Sequence, residues 1–135
     1  MAVLVLTDAT ISVNSVALAD HSNSLTLNYE IDSVETTAMG DTGHKFTGGL
    51  QNNSLDIEFM QDFAASKVEA TVYGLVGTTT TIVIKATSAA TSATNPSYTL
   101  TGAYLAAHTP VAGATGELAM TSLSFTGGTL VKALS

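Results

Sequence analysis

Gly40-Asp41-Thr42-Gly43-His44-Lys45 is the stretch whose residue types come nearest to a chemical motif, because glycines followed by a lysine are the material of a phosphate-cradling loop. Such a loop needs four residues between its glycines, a serine or threonine after the lysine, and a helix whose N-terminus meets the phosphate. Here the glycines are too close, Phe46 follows the lysine, and no helical pattern comes next. Nucleotide binding is not expected. His21, His44 and His108 stand far apart, with no pair at metal-ligand spacing, so no metal site is read and all three are expected at the surface or rim. Serines are plentiful, yet no Gly-x-Ser-x-Gly elbow occurs. Glu30, Asp32, Asp56 and Glu58 would supply an acid and a base in a sugar-cleaving cleft. Each, however, falls on the polar side of an alternating pattern, where exposure to water accounts for it. The sequence predicts no catalytic residue and no cofactor, and the chain is not expected to be an enzyme.

The elements that position those acids are two half-buried strands. Leu25, Leu27, Tyr29 and Ile31 alternate with Ser24, Thr26, Asn28, Glu30 and Asp32, and Leu55, Ile57 and Phe59 alternate with Ser54, Asp56 and Glu58. One connection joins them, so they are expected to be antiparallel neighbours whose polar faces form a single acidic surface. That connection, Thr36 to Gly49, has no periodicity, and Gly40, Gly43, Gly48 and Gly49 make ordering it costly, at about 1–2 kcal/mol per fixed residue. It is expected to be a long loop, flexible in the free chain and ordered by a partner. Met39 and Phe46 are its apolar anchors, and Asp41, His44 and Lys45 its polar contacts.

Only one segment changes period. From about Asp62 to Val76, Ala65, Val68, Val72, Leu75 and Val76 recur at spacings of three and four, which predicts one helix with a single apolar stripe. Asp62 is its expected N-cap, and Gly77 its expected left-handed C-terminal stop. Elsewhere the chain is β-patterned. A hairpin turns at Asn14-Ser15, strands are expected over Thr80 to Ala86, Tyr98 to His108 and Glu117 to Phe125, and Gly127-Gly128 turns into a last strand from Thr129. About seven or eight strands and one helix make a mainly β fold, an antiparallel sandwich or barrel of two sheets with the helix on one side.

With 135 residues the chain is expected to be one domain, residues 1–135. Cysteine is absent, so neither disulfides nor thiolate metal sites are available. Residues 1–6 form a short apolar run without a basic flank or a small-residue cleavage signal, and no segment approaches the ~18 apolar residues of a membrane span. A soluble product made in the cytosol is expected, with no membrane partner. Hydrophobic residues make up 45% but charged residues only 11%, against about 25% in ordinary soluble domains. Thr, Ser, Asn and Gly supply the polarity, and such a surface is cheap to cover with another protein, as in an assembly subunit. The net charge of −7, with four scattered lysines and no arginine, excludes a protein that grips phosphates.

The stretches DATISVNSVALADHSNSLTLNYE, ETTAMGDTGHKFTGGLQNNSLDIEF, QDFAASKVEATVYGLVGTTTTIVIKAT and GELAMTSLSFTGG, in this order, resemble the major tail tube proteins of long-tailed, non-contractile bacteriophages, in the short form of actinobacterial phages. The resemblance covers most of the chain. It implies a structural virion protein: a helix-flanked sandwich assembled as hexameric rings that stack into a hollow tube for DNA ejection. It further implies tape measure and tail terminator proteins as partners, and a place in the virion tail after synthesis in the host cytoplasm. DNA then passes without specific binding, along a lumen for which Glu30, Asp32, Asp56 and Glu58 are the candidate lining, since an acidic wall repels phosphate. Met39, Asp41, His44, Lys45 and Phe46 become candidate contacts between rings. The alternative is a virion decoration or receptor-binding β-sandwich. A carbohydrate-binding module is disfavoured by the absence of tryptophan.

Overall fold

The computed structural model describes residues 9–18, 21–65 and 67–134. Along the chain run β1 (Thr10–Val13), β2 (Val16–Ala17), β3 (Ser22–Asn28), β4 (Ile31–Glu35), β5 (Phe46–Gln51), β6 (Ser54–Met60), helix α1 (Val68–Val72), β7 (Thr79–Lys85), β8 (Ser97–Leu105), β9 (Met120–Thr126) and β10 (Thr129–Ala133). Eight strands are hydrogen-bonded in the order β2-β1-β7-β8-β9-β6-β3, with β10 added on β8, and β4 and β5 form a separate two-stranded sheet. Every one of these strand pairs is antiparallel. The protein is mainly β, with one short helix, as its alternating pattern predicts.

The larger sheet doubles back on itself at one residue. Thr80 of β7 faces Ala103 and Thr81 faces Thr101, which leaves Gly102 as the extra residue of a bulge, at φ +82°. Before the bulge β8 pairs with β10 along Ser97–Thr101, and after it Tyr104 and Leu105 pair with β9. The apolar faces of both halves then meet in one core. Ile11, Val13, Ile82, Ile84 and Leu100 come from one half, and Leu55, Ile57, Phe59, Leu123 and Phe125 from the other, all buried. The period-2 spacing of Leu55, Ile57 and Phe59 is what sends all three to this side.

Gly127 and Gly128 turn the chain from β9 into β10 beside that bulge, both at positive φ. A Cβ on Gly128 would lie 2.6 Å from the carbonyl oxygen of Thr101, a backbone atom that cannot step aside. Gly128→Ala is therefore expected to combine left-handed strain of about 1–2 kcal/mol with a backbone clash. Thermal unfolding should show a loss of at least about 2 kcal/mol, whereas Gly116→Ala, with open space around its Cβ, should lose no more than the strain alone. Equal losses would contradict the packing of this turn.

The helix is shorter than its sequence pattern. Its N-cap is Lys67, and no side chain caps it. Asp62 instead bends the chain upstream: its Oδ1 accepts the Ala64 N–H at 2.8 Å, its Oδ2 meets His21 Nε2 at 2.7 Å, and its carbonyl accepts the Glu69 N–H at 3.1 Å. With those bonds made, the chain bends and turns at Ala64 and Ala65 before the helix. After Val72 the chain tightens into one 3-10 turn, Tyr73–Leu75. Of the expected stripe, Val68 and Val72 are fully buried and Leu75 packs against the core, but Ala65 and Val76 are exposed. The β-branched residues that supply the stripe's apolar spacing also crowd a helix, which limits its length. Val76 has already left it and makes a parallel bridge to Leu105, and Gly77 takes the expected positive φ of +83°.

Candidate functional site

Three strands build a polar face. Their registers align Asn28 with Ser54 and Thr126, Thr26 with Asp56 and Ser124, and Ser24 with Glu58 and Ser122. Between these rows the intervening residues, such as Leu27, Leu55 and Phe125, point the other way into the sandwich, so the same alternation that makes the core makes this surface. Ser124 Oγ donates to Asp56 Oδ1 at 2.7 Å and Asn28 Nδ2 to Ser54 Oγ at 3.1 Å. The rows carry two carboxylates and no cation. The middle of the face dips into a shallow trough of about 350 Å³.

Glu30 and Asp32 do not belong to it. The sequence alternates without a break from Leu25 to Ile31, but β3 ends at Asn28, and Tyr29 and Ile31 are exposed. Asn53 is the cause. It is 1% exposed, its Oδ1 accepts the Glu30 N–H at 3.3 Å, and its Nδ2 donates to Gln51 Oε1 at 2.8 Å and to the Gly128 carbonyl at 3.1 Å. Gln51 Oε1 also accepts the Leu130 N–H at 3.0 Å. This buried amide network draws the backbone away from the sheet at Glu30, and Asp32 lies on β4.

Here a hairpin leaves the sandwich. All of β4 and all of β5 except Gln51 are exposed, so the pair has no core of its own, and an isolated two-stranded hairpin is marginal in water. Ile31, Val34, Phe46 and Leu50 nonetheless hold large apolar groups out on it, and Met39 is fully exposed at its tip. The expected loop of residues 36–49 is corrected by this geometry: residues 46–49 are β5 strand, and a Cβ on Gly49 would sit tightly, 3.1 Å from Val34 Cγ2 and 3.3 Å from the Asp32 carbonyl. The tip closes on itself through backbone and side-chain hydrogen bonds. Thr36 N–H donates to the Lys45 carbonyl (2.8 Å), Ala38 N–H to Asp41 Oδ2 (2.7 Å) and Lys45 N–H to Thr37 Oγ1 (2.9 Å). His44 Nδ1 meets Glu35 Oε2 at 2.6 Å, and Lys45 Nζ meets Asp41 Oδ1 at 3.0 Å. No partner is needed to satisfy these backbone groups.

Two carboxylates at the tip titrate below their ordinary range, Glu35 through the hydrogen bonds from His44 and then Thr37, and Asp41 through the Ala38 N–H and then Lys45. A lowered folded-state pKa means that the contact is fully present above the ordinary carboxylate range near about 4 and is lost as pH falls through the lowered values. Acid should therefore loosen the tip only below the ordinary carboxylate range. NMR shifts of the Ala38 and Lys45 amides are expected to hold down to about pH 4 and to move together below it. Tip amides that hold still until the whole chain unfolds would contradict these contacts.

The sequence missed one constellation. His108, expected at the surface, is buried: its side chain is 3% exposed, Nε2 lies 2.7 Å from Glu69 Oε2, and Nδ1 lies 3.2 Å from Thr121 Oγ1. A hydroxyl, an imidazole and a carboxylate in line are the parts of a nucleophilic triad. Thr121, however, is fully buried, so its oxygen meets no substrate, and the row ties α1 to β9. The only cue in the sequence is Glu69 inside the helical segment, a polar residue with no stated partner. His21 does similar work by tying the turn at Asp62 to the segment before β3. Among the described residues no three His, Cys, Asp or Glu side chains gather to hold a metal.

No protein-family model matches the chain, and no curated protein matches it in sequence. Solved structures do match. A chain of the PVC sheath/tube terminator in the extended state, from an extracellular contractile injection system, superposes with a TM-score of 0.73 at 12% identity, over 98% of this chain and 97% of that one. A chain of the anti-feeding prophage cap, the AFP tube terminating cap, gives 0.71 at 10% identity over 100% and 93%. The chain shares its fold with both. A chain of the native gene transfer agent virion gives 0.64 at 12% identity over 93% and 95%. At such identities the likeness is one of fold.

Proposed function

We propose that the chain is a structural subunit of a phage-type tail tube, of the non-contractile kind that its sequence resembles in actinobacterial phages. Six copies form a ring, rings stack, and the polar face of β3, β6 and β9 lines the lumen through which DNA leaves. The observation that carries this reading is that face itself: a three-stranded surface whose aligned rows carry Asp56 and Glu58 as their only charges. Such a wall hydrates well, repels phosphate and offers no cation for DNA to stick to. The coreless hairpin supports the same reading, because its apolar groups gain burial only from a neighbouring copy. Met39 and Phe46 are its anchors, with Asp41, His44 and Lys45 around them, between rings. Glu30 and Asp32, first considered for the lumen, go with the hairpin and its base. Tape measure and terminator proteins are the further partners, and the virion tail is the location.

Concentrating the purified protein and imaging it by negative stain tests this proposal. Rings or hollow tubes are the expected result. A persistent monomer at all concentrations would contradict it and favour a decoration or receptor-binding domain.

A further inference from the structure

A second exposed apolar surface has no part in the function proposed above. Among the described residues, Tyr73 just after α1, Val76 beyond it and Pro110 between β8 and β9 stand around a groove of about 390 Å³, with buried His108 at its floor. Tyr73, Val76 and Pro110 are exposed, and Val111 and Leu118 on the same β8–β9 connection hold further apolar side chains in water. A small polar ligand finds little to orient it here, because His108 Nε2 is taken by Glu69 and its Nδ1 by Thr121. Apart from His108, the connection of residues 106–119 has one ionisable side chain, the exposed Glu117.

We propose that this groove receives the hairpin tip of a second copy of the chain, with Met39 and Phe46 entering it. This rests on the reading of the hairpin as a contact between copies, and it names the surface on the other side of that contact. Within one copy the two stand apart. The hairpin leaves the sandwich at the Ser54 end of β6, where Asn53 holds the Glu30 N–H. Just past the Met60 end, the Gln61 N–H donates to the Ala119 carbonyl at 3.0 Å and Gln61 Nε2 to the Pro110 carbonyl at 2.7 Å, which fixes the groove's β8–β9 connection there. Seven residues of strand, roughly 23 Å, separate these ends. An apolar projection at one end and an apolar groove at the other make a head-to-tail contact, which a row of copies repeats. Size agrees: a cavity of ~150 Å³ holds a benzene ring, so this groove has space for the Phe46 ring and the Met39 thioether. Charge agrees too. The Lys45 side chain is 65% exposed and its partner Asp41 only 18%, and Glu35 is taken by Thr37 and His44, so the tip turns its lysine outward, toward Glu117 of the receiving copy.

The chain has no cysteine, so introduced ones report cleanly. Full-length Met39→Cys protein is mixed with protein carrying Tyr73→Cys or Val76→Cys, the two distinguished by a mass tag, and oxidised mildly. A disulfide needs Cα atoms within about 7 Å. At least one mixture is expected to cross-link between the two kinds of copy at least about ten-fold faster than Met39→Cys mixed with Ser122→Cys, which lies on the polar face. Adding Glu117→Lys to the receiving copy should slow that cross-link about two- to five-fold at low salt. Mixed cross-linking no faster than the Ser122→Cys control would overturn the proposal. So would faster joining of Met39→Cys copies to each other, which would make the contact tip to tip, or a rate unchanged by Glu117→Lys. Negative stain of the parent protein separates this inference from the tube reading. Tubes without the mixed cross-link would keep the tube and sink the groove contact, whereas the mixed cross-link without rings or tubes would keep the head-to-tail contact and sink the tube.

Discussion

Met39→Ser with Phe46→Ser is expected to leave a folded chain that no longer elongates into the proposed tubes. Both residues sit on the hairpin, outside the core, so their loss removes no packing from the sandwich, and unfolding should be nearly unchanged. Assembly is another matter. Burying a large apolar side chain against a neighbour contributes about 1.5–3 kcal/mol, so losing two anchors weakens each contact by about 3–6 kcal/mol, or roughly a hundred- to ten-thousand-fold. Since every added ring of the proposed tube would repeat the contact, elongation is expected to fail at concentrations where the parent assembles. Sedimentation and electron microscopy read this directly, with circular dichroism as the check on folding. Tubes of normal length from the double variant would remove the hairpin from the interface.

Asp56→Lys with Glu58→Lys is expected to have the opposite profile: normal tubes, slowed DNA exit. The two residues share a face with Ser, Thr and Asn side chains and none of the core, so the sandwich tolerates the change, apart from the Ser124 Oγ bond that Asp56 loses. Each subunit now offers two cations where it offered two anions. Phosphates condense on such a wall by releasing counterions, and the drag should weaken as salt rises. Single-particle ejection assays are expected to show exit slowed at least ten-fold in low salt, with recovery at high salt. Exit at the parent's rate in low salt would place these acids on the outside.

Alternation made the sandwich legible in the sequence. Leu55, Ile57 and Phe59, and Ile82 and Ile84, occupy the buried side that their spacing assigns, and Asn14-Ser15, Gly77 and Gly127-Gly128 turn or stop the chain where their conformational preferences place them. What stayed hidden depends on single polar groups acting at long range. Nothing in the pattern through Tyr29 and Ile31 announces that buried Asn53, far along the chain, takes the Glu30 N–H and ends β3. Asp62 looked like a helix cap because acids cap helices, but its oxygens hold Ala64 and His21 in a turn, and the helix waits until Val68. Four glycines made residues 36–49 look like a mobile loop. Two of them, Gly48 and Gly49, serve a strand, and the polar residues between close the tip through Thr37 and Asp41. Of the four acids read as one surface, the two on β6 share the polar face, and Glu30 and Asp32 left it with the hairpin.

Helical reconstruction of tubes grown from the purified chain tests the central claim most directly. The account expects six-fold rings in which the Asp56 and Glu58 carboxylates face the axis, with the hairpin of each subunit lying against the next ring. A tube whose lumen is lined by another face of the sandwich, with Asp56 and Glu58 on the outer wall, would contradict it.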